Sequence, residues 1–217
     1  MSAPAIRFKI FSVLVLLSTL PSLAWAQTQL VQYNPAGLGH VDETNFPATS
    51  VTAPVTSAGP MALVGATPGG SSNSYDARLW SHALTPNLGE YIEFSVTGTW
   101  NAHSITHPWF NSSFGPKTVS VRSSVDSYAT DIATDSKSGG ANLDISSLGA
   151  LTGTTTFRLY YYGGTATDPQ FPDPSATDVV FIDPAGLTVF GVDEIPPSTD
   201  IQITKTGPAS VVAGSGS

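Results

Sequence analysis

No cysteine occurs among the 217 residues. That excludes disulfides, thiol nucleophiles, thiolate metal sites and thiol redox chemistry, so the fold must stand on its packed core alone. Charge is scarce as well. Only 11% of residues are charged, and eight basic residues face sixteen acidic ones, for a formal net charge of −8. An acidic, Lys/Arg-poor chain repels nucleic acid and anionic lipid, which argues against both as partners. No G-x-S-x-G elbow and no phosphate-binding glycine loop is present, and no stretch has the 3.6-residue apolar period of an amphipathic helix.

Long apolar runs are missing too, except at the start. Arg7 and Lys9 precede an apolar run from Ile10 to Leu20, and Ala24-Trp25-Ala26 follows. A positive segment, a short apolar segment and small residues before a cut site make a cleavable secretory signal peptide over residues 1–26. The run falls short of the about 20 residues that span a bilayer. Cleavage after Ala26 removes two basic residues and no acidic ones, which lowers the net charge of the remainder to −10.

What is abundant is Ser, Thr, Gly, Pro and β-branched residues. Six prolines between Pro35 and Pro86 rule out long helices in residues 27–90 and predict short strands and loops there. Leu30 to Tyr33 reads as a first strand, and Trp80 as a packing residue. From residue 91 the two-residue alternation is plain. Ile92, Phe94 and Val96 alternate with Glu93, Ser95 and Thr97. Val119, Val121 and Val125 share a face, as do Phe157, Leu159 and Tyr161 opposite Arg158, Tyr160 and Tyr162. Residues 142–151 read as a short strand followed by a turn or one helical turn, 178–183 as a central strand or one covered on both sides, and 187–192 as the last strand. Half-wet strands separated by turns predict an all-β fold, an antiparallel two-sheet β-sandwich that is jelly-roll-like, over residues 27–193. Uneven strand lengths make a closed barrel the weaker reading. Residues 194–199, with Pro196-Pro197, read as a stiff linker, and residues 200–217 as the truncated start of a further domain.

Two resemblances add to this. The stretch VRSSVDSY (121–128), the segment LDISSLGALTGTTTFRLYYYGG (143–164), the strand EYIEFSVTG (90–98) and the ending FIDPAGLTVFG (181–191) resemble a family of exported bacterial proteins with a jelly-roll-like domain. The similarity spans about residues 88–191. It implies a surface or matrix protein and assigns no chemistry. TDIQITKTGPASVVAG (199–214) resembles the opening strand of the immunoglobulin-like surface repeat called domain of unknown function eleven. It implies that the chain is the N-terminal part of a longer surface protein.

Trp109, Arg158, Tyr160 and Tyr162 are the candidate ligand-binding residues. Aromatic faces suit the apolar faces of sugar rings, and Tyr160 and Tyr162 fall on the polar side of their strand; core and edge packing is the plainer role. Asp168, Asp173 and Asp178, with Asp183 in the same five-residue rhythm, are candidate calcium ligands, because calcium takes oxygen donors from acidic loops. Asp-Pro turn chemistry is the alternative. His103 and His107 are four apart, the metal-binding spacing of a helix, but in an extended strand that puts them about 13 Å apart. Glu90 and Glu93 lie on opposite strand faces and do not form a glycosidase pair. The composite expectation is a non-catalytic extracellular module of a bacterial cell-surface or matrix protein. Its work would be structural display or adhesion, with a polysaccharide or protein as partner. A carbohydrate-binding module is the alternative, and a secreted hydrolase the third reading.

Overall fold

The computed structural model describes residues 26–39, 41–69, 75–78, 80, 83–111, 115–136, 139–164, 180–182 and 185–192. They form fourteen strands and two single 3-10 turns. The strands are β1 (Gln27–Tyr33), β2 (Ser50–Val51), β3 (Val55–Ala58), β4 (Ala62–Val64), β5 (Thr67–Pro68), β6 (Tyr75–Arg78) and β7 (Tyr91–His107). They continue with β8 (Trp109–Asn111), β9 (Thr118–Ser123), β10 (Ala133–Asp135), β11 (Ala141–Asp144), β12 (Ala150–Tyr162), β13 (Val180–Ile182) and β14 (Leu187–Val192). Every strand pairing is antiparallel. The all-β, antiparallel expectation holds.

The seventeen-residue β7 organises the large sheet. Asn101 pairs with Ala150 on one edge and with Val192 on the other. One edge of β7 therefore carries β11 and then β12, joined by the turn Ser146–Leu148. The other edge carries β14 along its C-terminal half and β3 and β4 along its N-terminal half.

Straight, seventeen extended residues would span about 55 Å. Yet the two ends of β7 meet across the core. Tyr161 lies two residues past the pair Leu159–Ile92, beside the start of β7, and its phenol reaches His107 at the far end, 3.2 Å away. Tyr33, opposite Leu187, likewise packs on Phe94 with ring centroids 5.6 Å apart. The large sheet thus coils about β7 so that the two ends of that strand approach each other, and the core between them is also filled by Tyr75, Ala77 and Trp109 of a second sheet. The second sheet is smaller, in the order β5-β6-β13-β8. Its strand β8 is separated from β7 by Pro108, which lacks the N–H needed to continue a ladder. β13 lies between β6 and β8, the central position expected of residues 178–183.

Sequence alternation and burial agree along most of β7: Ile92, Phe94, Val96, Trp100 and Ala102 are buried. The phase then slips. Phe190 pairs with Ser104 and Gly191 with Ala102, which leaves His103 unopposed in a β-bulge. After it Ile105 and His107 are the inward residues. Gly186 closes the approach to β14. It has φ +74°, and a Cβ there would stand 2.0 Å from the carbonyl oxygen of Tyr33, so only glycine fits. Val125 departs from the expected pattern. It sits in the turn Ser124–Asp126, after β9 has ended, and is 58% exposed.

Candidate functional site

The wet face of β9, β12 and β7 collects three of the sequence-predicted features. Cross-strand register sets Arg158 opposite Glu93 on one side and opposite Arg122 on the other. Two facing arginines repel. Each is therefore given its own carboxylate: Arg158 Nε donates to Glu93 at 2.7 Å, and Arg122 Nε donates to Asp131 at 2.6 Å. The Arg158 guanidinium is also clamped between two phenol rings, 4.2 Å from the centroid of Tyr91 and 3.8 Å from that of Tyr128. Arg122 lies 5.3 Å over Tyr160, and Tyr160 packs on Tyr91 at 5.6 Å. Cations over aromatic faces contribute roughly 0.5–2 kcal/mol each, depending on exposure.

The segment 121–132 exists to deliver Tyr128. Ser123 caps the turn through Val125 N–H, and its carbonyl receives Tyr128 N–H at 2.8 Å. Ser124 Oγ accepts Thr156 N–H from β12 at 3.0 Å. The Asp126 carboxylate accepts from Ala129 N–H and from both the amide and the hydroxyl of Thr130, and the Thr130 bonds hold its pKa below the ordinary carboxylate value. Ser127 and Tyr128 sit at φ 60° and 63°. Such left-handed backbone costs a non-glycine residue of order 1 kcal/mol and persists where neighbours enforce it. Here the enforcing groups are Arg122, which donates to the Tyr128 carbonyl at 3.1 Å, and Arg158 under the ring.

Of the four candidate ligand residues, the structure therefore groups Arg158 and Tyr160 but not as an open platform. Tyr160 is 1% exposed, covered by Arg122 and Tyr91. Trp109 corrects the expectation more sharply. It is fully buried, at the junction of the two sheets, edge-on to Tyr161 at 5.5 Å. Neither can stack a sugar. Tyr162 is half-buried opposite Thr118 at the end of β12. Asp168, Asp173, Asp178 and Asp183 lie outside the described residues. Among the described residues no group of three His, Asp or Glu side chains is arranged to hold a metal ion.

The two histidines part company at the bulge. His107 is inside, its Nε2 bonded to Tyr161 and its ring beside Trp109. Burial pushes its pKa down to about 3, against a weaker opposing pull from Asp135. Trp80 joins this cluster as expected, 4.9 Å from Tyr161. His103 stays at the surface, where the Gln27 carboxamide nitrogen donates to its Nε2.

Around His103 lies a feature the sequence reading missed, an open cleft of about 390 Å³. Gln27, Asn101, His103 and Ser146 line it together with Ala102, Gly149 and Val192. A second hollow of about 330 Å³ adjoins it through Ser146 and is walled by Asn142, Asp144, Thr134 and Ser147. Hydrogen bonds from Ser146 hold the Asp144 carboxyl below its ordinary value, with help from nearby His103. Tyr91, Tyr128 and Arg122 were also missed. Their only sequence signal was that Arg122 and Arg158 both sit on wet strand faces.

Compared with protein-family models, with curated proteins and with solved structures, the chain finds no match in any of the three.

Proposed function

We propose that this chain is an exported, non-catalytic β-sandwich module of jelly-roll type that serves structural display or adhesion on a bacterial cell surface or in its matrix. The observation that carries the reading is the wet face of β12. Its aromatic rings and guanidinium groups are spent on one another: Arg158 occupies the facing sides of Tyr91 and Tyr128, and Tyr160 is covered. A face satisfied from within stiffens a sheet and offers little to a ligand. Scarce charge, the absence of cysteine and the leader-like residues 1–26 suit an exported module. The resemblances at 88–191 and 199–214 point the same way. Surface labelling and fractionation of cells expressing the tagged full chain test the reading. Labelled protein whose N-terminus begins at Gln27 is expected, and an unprocessed chain confined to the cytoplasm would overturn it.

A carbohydrate-binding module is the second reading, favoured by one observation: the cleft at His103 joins amide, imidazole and hydroxyl groups to apolar surface at Val192. A hydrolase comes third and would require turnover of a polysaccharide that a single carboxylate substitution, such as Asp144→Asn, abolishes.

A further inference from the structure

We infer that the cleft formed at the β7 bulge is a binding site for a neutral saccharide, with the adjoining hollow as its second subsite; this deepens the carbohydrate-binding reading and rests on it. The bulge makes the site. Without the extra residue His103 would face a partner on β14, as Asn101 and Ser104 do, in an even ladder. With it, the ladder to β14 opens and the His103 ring stands beside the end of β1.

The chemistry of the lining selects the ligand class. The cleft holds two carboxamides, an imidazole and a hydroxyl, with Gln27 and His103 already bonded to each other, and among the described residues neither hollow has a lysine or arginine on its walls. A chain of net charge −8, with the Asp144 carboxylate next door, disfavours phosphate, sulfate and uronate ligands. Carboxamides donate and accept at once, and so do hydroxyls, which matches the vicinal hydroxyls of a sugar. Val192 and Gly149 give the cleft an apolar part against which the carbon face of a pyranose can lie, and His103 a flat ring at its side. The volume falls in the range of small-molecule sites. The second hollow continues the polar track with Asn142, Asp144, Ser147 and Thr134. Two adjoining hollows sharing Ser146 suit an oligosaccharide of at least two residues. The site is therefore separate from the aromatic face of β12.

Titration of the isotopically labelled full chain with maltose, cellobiose, lactose and di-N-acetylchitobiose, followed by NMR, tests the inference. At least one sugar is expected to give saturable shifts confined to Asn101, His103, Ser146 and their neighbours. Asn101→Ala and His103→Ala should each weaken that binding about tenfold, the worth of one or two lost hydrogen bonds. Their thermal midpoints should stay at the parent value, and Tyr162→Ala should bind as the parent does. Shifts mapping to Tyr162 and the β12 face would overturn the cleft and leave the carbohydrate reading standing. No saturable shift with any of the four sugars would overturn both. Parent-like binding by the two cleft variants, or tighter binding of glucuronate than of the neutral sugars, would also overturn the inference.

Discussion

The ring of Tyr128 lies 3.8 Å over the guanidinium of Arg158. The two residues come from separate stretches, 121–128 and 143–164, that stand out in the sequence for their dense polar motifs. Their meeting gives those motifs a physical purpose. The first builds a turn that forces Tyr128 into a left-handed conformation, and the second supplies the cation that rewards it. Glu93 on β7 completes the set from a third strand.

Removing the ring should therefore cost stability while keeping the rest of the turn. Tyr128→Ala is expected to lower unfolding free energy by about 1–2 kcal/mol, the scale of a partly desolvated cation–aromatic contact. Tyr128→Phe keeps the ring and should stay close to the parent. Urea unfolding of the two variants makes the comparison. Equal losses for both would mean that the hydroxyl matters and the stacking does not.

His107 predicts a pH dependence. Its folded pKa is about 3, below the ordinary 6.5, because burial disfavours the charged imidazole. The unfolded chain then binds a proton that the folded one refuses. The contribution is complete above pH 6.5 and erodes as pH falls below it, at up to about 1.4 kcal/mol per pH unit. Between pH 6.5 and 5 carboxylates scarcely titrate, so the slope belongs to histidine. Denaturant unfolding at three pH values in that window should show it. His107→Phe, though less stable at pH 7.5 for loss of the Tyr161 bond, should flatten it.

Gly186→Ala is expected to destabilise by more than about 2 kcal/mol. The added methyl group meets backbone of β1 at a position whose φ already disfavours it. Thermal denaturation reads the loss directly, and a midpoint within a degree of the parent would mean that β1 can move aside.

How much of this was legible beforehand depends on whether the information is local. Strand identity is local. Alternation of Ile92, Phe94 and Val96 against Glu93, Ser95 and Thr97 dictates a half-buried strand whatever surrounds it, and the structure buries the first three. The same holds for Phe157, Leu159 and Tyr161. Tyr160 shows where local reasoning stops. Its position on the polar side of β12 is legible, but its burial comes from Arg122 and Tyr91, residues on two other strands. Trp109 is similar: one aromatic residue after Pro108 does not reveal that it will sit at the seam of two sheets.

The sequence by itself determined the class of fold, the wet and dry sides of its main strands and the exclusion of thiol chemistry, because periodicity and composition act within a few residues. Only the tertiary structure decided that β7 coils until His107 reaches Tyr161, and that the bulge at His103 turns one histidine inward and leaves the other at a cleft. A bulge is a mismatch between two strands. It exists only once β14 has paired with β7, and no single strand carries it.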